Sequence, residues 1–276
     1  MKTVRFYPFV SNGKEKDYES GFHYYGARYY WSEVLTGWLS VDPMADKYPN
    51  ISPYAYCSWN PVLLVDPDGE KPRLKFHGQN SMTTFENIVN SGLGGQFYAN
   101  LTKNGNGSYT FDIVPAKGGG DVSKLNVHQQ AFYNELRDCI DSKTRDGKEL
   151  NYDIDVYYGD KGVHTGNYIK NAIDVADMDQ FNELNTGGAT KQGKMIHELT
   201  EQCKKAYMGN TKGDRMGYEY CHRFAIEAEN KVNGNQRSPK DEGKGGHISM
   251  QTYTLPNGRK HNVRISTNTA IIKVTQ

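Results

Sequence analysis

The sequence predicts an α+β protein in two parts, a β-rich segment over residues 1–69 and an α+β domain over residues 70–276. Three observations carry this expectation. Residue usage changes abruptly near residue 70, short β-prone stretches bounded by turns recur towards both ends of the chain, and two amphipathic helical patterns lie between Lys191 and Gly234.

The change in usage sets the domain boundary. All three tryptophans (Trp31, Trp38, Trp59), nine of twenty tyrosines and six of ten prolines fall in residues 1–69, against only five of twenty-nine glycines. The shift ends at the turn-forming run Asp66-Pro67-Asp68-Gly69. Within the first part, Phe22-His23-Tyr24-Tyr25, Ala27-Arg28-Tyr29-Tyr30 and Trp38-Leu39-Ser40-Val41 are rich in aromatic or β-prone residues and read as short strands, enough for a piece of a sheet.

Composition excludes several classes. With 36% hydrophobic and 12% aromatic residues over 276 positions, the chain can build packed cores and is not a disordered polymer. Lys plus Arg 33 against Asp plus Glu 32 leaves a net +1, too little to draw the whole chain onto nucleic acid or an anionic membrane. No apolar run approaches the ~20 residues of a membrane span, so no membrane span is expected. The opening MKTVRFYPFV lacks the apolar core of a secretory signal. Four cysteines (Cys57, Cys139, Cys203, Cys221) without a CxxC pair read as scattered reduced thiols, not as a disulfide framework or a Cys-rich zinc site.

The run GKEKDYESGFHYYGARYYWSEVLTGWLSVDPMADKYPNISPYAYCSWNPVLLVDPDG, covering nearly all of residues 12–69, resembles the core segment of RHS-repeat proteins in its Bacteroidetes form. The resemblance implies a fragment of a YD-repeat β-shell followed, after DPDG, by an exchangeable toxin domain. It also implies delivery into a competitor or host cell by a dedicated secretion machinery, without a conventional signal peptide, and a cognate immunity protein. Members of the family often cleave themselves with aspartates of the DP motifs, which by carry-over are Asp42 and Asp66. The same two Asp-Pro pairs also read as plain turn chemistry.

In the second part, Gln96–Leu101 and Tyr109–Val114 around Asn104-Gly105-Asn106-Gly107 predict a β-hairpin. Apolar residues from Leu125 to Ile140 recur at helical spacing, with Asp121 or Ser123 as a candidate cap. Tyr152–Tyr158 alternates as a strand. Ile248–Leu255, Pro256-Asn257-Gly258, Val263–Ser266 and Ala270–Val274 predict a second β-rich run.

The two helices hold most of the unusual chemistry. A helix from about Lys191 to Met208 places Met195, Ile196, Leu199, Cys203, Ala206 and Tyr207 on one face, the core face. His197 and Glu201, four apart, project together from nearly the opposite side, with Glu198 beside them. Such residues either decorate a solvated face or grip a metal ion, because side chains at i and i+4 stack above one another. The pattern is HExxE, an HExxH zinc motif with a carboxylate as second ligand, and Glu is an acceptable zinc ligand. The second helix, ended by Gly234, carries Tyr218, Cys221, Ala225, Ala228 and Val232 on its apolar face and His222 at the margin. A connection of roughly 6–8 residues predicts antiparallel packing, which lets His222 approach His197 and Glu201. The expected site therefore has His197, Glu201 and His222 as zinc ligands, Glu198 as general base, and Glu229 as the partner of a ligand or an alternative ligand.

HELTEQ and CHRFAIEAEN together resemble the metallopeptidase-like toxins found behind RHS cores. That resemblance implies a zincin-like active-site helix packed on a sheet, a second ligand helix, and a protein substrate in the target cell. Two other classes stay open. Residues 231–276 hold eight Lys/Arg against two Asp/Glu, so a nuclease using His164 and His247 as acid and base is one, although nucleic acid is not the favoured partner. An inactive interaction module is the other.

Overall fold

In the computed structural model the chain divides into two compact units, Met1–Gly69 and Glu70–Gln276. The structure describes residues 20, 22–24, 29–31, 37–41, 52, 54, 71–145, 150–184, 188–239, 242–243 and 247–275. Asp42, Asp66 and Cys57 lie outside the described residues.

In the first unit β1 (His23–Tyr24), β2 (Tyr29–Trp31) and β3 (Gly37–Trp38) form an antiparallel three-stranded sheet. Trp38 is fully buried and packs edge-on against Tyr30.

The second unit is a mixed α+β structure. Its elements run β4 (Arg73–Phe76), α1 (Gln79–Ser91), β5 (Phe97–Lys103), β6 (Tyr109–Pro115), α2 (Val127–Ile140), β7 (Asp153–Tyr157), β8 (Gly166–Asn167), β9 (Ala172–Asp174) and α3 (Val175–Met178). They continue with α4 (Lys191–Tyr207), α5 (Tyr218–Asn233), β10 (Gln236–Arg237), β11 (Glu242–Gly243), β12 (Ile248–Thr254), β13 (Lys260–Ser266) and β14 (Lys273–Thr275). Six strands make a mixed sheet in the order β5-β6-β4-β7-β9-β8, with β4, β7 and β9 parallel and both flanks antiparallel. The remaining five make an antiparallel sheet, β10-β12-β13-β14 with β11 also on β12.

Period-two alternation puts Ile154 and Val156 of β7 into the core, where they meet Phe85 of α1, Leu136 of α2 and Leu199 of α4 in one apolar cluster. The helix before β7 starts later than expected. Asn126, not Asp121 or Ser123, caps α2, accepting from the backbone N–H of His128 and Gln129, while Asp121 caps a separate 3-10 turn, Val122–Lys124.

Helices α4 and α5 run antiparallel, as their cross-contacts show. Thr190 caps α4 by accepting from Gly193 N–H and donates its hydroxyl to Asn233 at the far end of α5, while Met208 past the end of α4 meets Cys221 near the start of α5. Gly193 is required for this approach, since a Cβ there would stand 2.3 Å from Asn233 Oδ1. The connection is longer than expected, residues 208–217, because it is folded through successive turns with Gly209, Gly213 and Gly217 at positive φ. Burying Met195, Ile196 and Leu199 contributes about 1.5–3 kcal/mol each to holding α4 in place. Tyr207, expected on the core face, is 40% exposed as the last residue of the helix. Among the described residues no helix is long and apolar enough to cross a membrane.

Candidate metal centre

The face of α4 opposite its apolar stripe is not solvated. His197, Glu198 and Glu201 are all buried, because α5 covers one side and β10 and β12 bring Arg237, Gln251 and Tyr253 over the other. A decorated surface helix is thereby excluded.

Three side chains converge. His197 Nε2 lies 3.2 Å from His222 Nδ1 and 3.5 Å from Glu201 Oε1, and His222 Nδ1 lies 2.6 Å from Glu201 Oε1. A tetrahedral ion with arms of about 2.0–2.1 Å has edges of about 3.3 Å. Two edges of the observed triangle fit that value and the third is a hydrogen bond, so a small expansion accommodates the ion. The group His197, Glu201 and His222 can hold a metal ion, and with three protein ligands it has the donor number of an open site. His222 is the most accessible of the three, and its ring is stacked on Tyr218.

Glu229 stands behind the triad. Its Oε2 lies 2.9 Å from His197 Nδ1, on the opposite side of the ring from Nε2, and Arg237 Nη1 donates to the same oxygen at 2.8 Å. Its Oε1 takes Lys194 Nζ at 2.7 Å and the Tyr253 hydroxyl at 2.7 Å. Of the two roles expected for Glu229, the geometry therefore provides the partner of a ligand and not the alternative ligand.

The electrostatics follow from burial and pairing. Burial opposes charge on His197, but hydrogen bonds to Glu201 and Glu229 outweigh it and raise its pKa to about 9. Burial likewise opposes charge on Glu201, yet His197 and His222 bring it down to about 2. Glu229 is held well below the usual carboxylate range against the cost of its burial, by Lys194 and Arg237. At Glu198 the charges of His197 and Lys194 are outweighed. Burial first, and then the charge of Glu201, push it up to about 7. A buried cluster of this kind is a poor route to stability, since desolvation of the charges offsets their attraction, and such clusters mark functional sites.

Glu198 is held by the turn that leads into the edge strand β8. Thr165 donates its hydroxyl to Glu198 Oε1 at 2.9 Å, and a Cβ on Gly166 would stand 1.8 Å from Glu198 Oε2. Thr165 has φ 46, a left-handed conformation that a β-branched residue rarely adopts. It is fixed there by Asp177, which accepts its N–H at 3.2 Å.

Sequence reasoning missed Lys194, Arg237, Tyr253, Gln251 and the Thr165-Gly166 turn. Only Lys194 had a local signal, lying three residues before His197 on the same helix. Arg237 belongs to the basic end of the chain, but it is buried and paired with Glu229. The nuclease histidines do not join the site. His164 lies 3.9 Å from Asp177 and His247 is exposed before β12, and neither belongs to the convergent group.

A larger cleft of about 610 Å³ opens beside the later turns of α4, lined by residues including Asp155, Gln202, Lys205 and Lys212. No member of the triad lines it, so the triad is singled out by donor chemistry and not by cavity size. Taken together, the second unit is an α+β domain with a buried His/Glu group able to hold a metal ion. Comparison with protein-family models, curated proteins and solved structures found no match.

Proposed function

We propose that residues 70–276 form a zinc-dependent peptidase with a zincin-like arrangement, and that they are the toxin domain of an RHS-type polymorphic protein. The observation that carries the catalytic reading is the convergence of His197 Nε2, Glu201 Oε1 and His222 Nδ1 with Glu198 alongside on the same helix. The soft imidazole pair and single carboxylate suit zinc better than calcium or magnesium, which favour all-oxygen shells. The placement of α4 against the mixed sheet, with Glu198 at the antiparallel edge strand β8, supports the zincin-like reading.

His197, Glu201 and His222 would hold the zinc, which when bound would polarise a carbonyl and lower the pKa of a water. Glu198, beside the ligand residues on the same helix, would accept a proton from the attacking water and return it to the leaving amine. Glu229 fixes the His197 ring with Nδ1–H towards its carboxylate, leaving Nε2 free to ligate. Toxin identity rests on the resemblance of residues 12–69 to the RHS core. With it come a cognate immunity protein, a secretion machinery and delivery into a target cell.

The test is metal analysis and hydrolysis of unfolded casein by the purified full chain. The expected result is one zinc per chain, lost in His197→Ala, and casein cleavage that Glu198→Gln abolishes while retaining zinc. Full cleavage by Glu198→Gln removes the proposed base, and a metal-free active protein removes the whole reading.

A further inference from the structure

His197, Glu201 and His222 leave the cleft of about 610 Å³ beside the later turns of α4 untouched. Its size is that of a small-ligand site, and its lining holds two buried side chains with bonding capacity to spare. Gln202 is 2% exposed, and neither its Oε1 nor its Nε2 has a hydrogen-bond partner among the described residues. A buried amide left unpaired at both ends is costly, and native structures hold few such groups. Lys205, three residues on and so on the same face of α4, is 1% exposed. Its Nζ donates to the Tyr168 carbonyl at 2.6 Å and to Asn171 Oδ1 at 2.7 Å, both neutral acceptors. Among the described residues no carboxylate pairs with it. An ammonium has three donors, so one remains. Asn151 Oδ1, a further buried acceptor without a partner among the described residues, lines the same cleft.

The acids of the lining are already matched. Asp153 takes Arg73 at two points, 2.7 and 3.1 Å, and Asp155 takes His77 and Lys212. Lys75, exposed in the lining, makes no ion pair among the described residues. The unmatched charge of the cleft is therefore positive.

These groups select a ligand chemistry. A side-chain amide open at both atoms complements an extended backbone, pairing with the N–H and the C=O of one residue. An ammonium without a counter-ion complements a carboxylate. Residues three apart on a helix stand about 5–6 Å apart at Cβ. An extended peptide advances about 3.3–3.6 Å per residue, which sets a terminal carboxylate at a comparable spacing from the backbone of the penultimate residue. A nucleotide, with a sugar between base edge and phosphate, holds its two recognition groups farther apart.

We infer that this cleft captures the C-terminal end of a peptide, with Gln202 pairing the backbone of the penultimate residue and Lys205 the terminal carboxylate. Because no candidate metal ligand lines the cleft, the inference stands independently of the peptidase reading.

The experiment is calorimetric titration of the full chain with N-acetyl-Ala-Ala, its C-terminal amide, acetate and AMP. The expected result is saturable binding of the acid, with the amide and acetate at least tenfold weaker. Gln202→Met fills the same space without orphaned polar atoms, and it is expected to stay folded and to bind the acid at least tenfold more weakly. Lys205→Met is expected to bind acid and amide alike. Should that variant fail to fold, the ratio of acid to amide binding in the wild type and the Gln202→Met titration decide the matter. The inference is overturned if the wild type binds the acid no better than the amide, if it binds neither, if AMP binds more tightly than the dipeptide, or if Gln202→Met binds the acid as the wild type does.

Discussion

His197 and Glu229 meet at 2.9 Å through Nδ1 and Oε2, and this contact joins the buried charge cluster to the face of α4 that can hold a metal ion. The carboxylate takes the Nδ1 side of the ring, so that Nε2 is the nitrogen that faces Glu201 and His222.

Replacing Glu229 by Gln keeps the volume but removes the charge that Lys194 and Arg237 share. Zinc affinity is expected to fall about 10- to 100-fold, the usual effect of losing a carboxylate behind a histidine ligand. Thermal stability falls as well, because two buried cations lose their counter-ion, and breaking a buried pair costs about 3–5 kcal/mol. Calorimetric zinc titration checks the first effect and thermal unfolding the second. Unchanged zinc affinity in Glu229→Gln would show that the ring is oriented by something else.

Gly166 has a narrower task. A methyl at this position would overlap the Glu198 carboxylate, standing 1.8 Å from Oε2 and 2.3 Å from Cδ. Gly166→Ala is therefore expected to push the carboxylate off Thr165 and to reduce casein cleavage about as far as Glu198→Gln does, with zinc content unchanged. In a Glu198→Ala background the same glycine substitution has room and adds little, so the two changes are strongly non-additive in Tm. Additive shifts would mean that the glycine serves the backbone of β8 and not the carboxylate.

How much of this was legible depends on the kind of signal each element carries. Helix α4 was readable almost to its ends because apolar residues repeat at helical spacing. The β5–β6 hairpin was readable from its Asn/Gly turn. Helix α1 was not, since its start has neither a capping side chain nor an acid in the first turn, and Gly78 precedes it at φ 96. Strands β8 and β9 are two and three residues long, too short for alternation to show. The ligand residues were visible as an i, i+4 pair plus one histidine on the following helix. Their burial was not visible, because it is imposed by Arg237 and Tyr253, whose strands β10 and β12 follow α5 in sequence and reach the site only through the second sheet.

The last prediction concerns pH. Asp177 is fully buried, and burial, helped by the neighbouring Asp174 charge, raises its pKa to about 7 despite hydrogen bonds from the backbone N–H of Ile272 and Thr165. Asp174 and His164 are the titratable groups beside it. In the unfolded chain the same carboxyl titrates near its model value of 3.8. Between about pH 4 and pH 7 the folded state therefore holds more protons than the unfolded state, and stability falls as pH rises through that window. The contribution is fully present below about pH 4 and lost above about pH 7, a difference of up to about 4 kcal/mol at 1.36 kcal/mol per pKa unit. Asn mimics the neutral acid at every pH. Asp177→Asn is accordingly expected to match the wild type in Tm near pH 4, where both side chains are neutral, and to exceed it by several degrees at pH 8. Parallel Tm curves for the two proteins from pH 4 to pH 8 would show that Asp177 folds in its ionised form. In that case the two backbone N–H donors, not desolvation, govern the turn that holds Thr165 against Glu198.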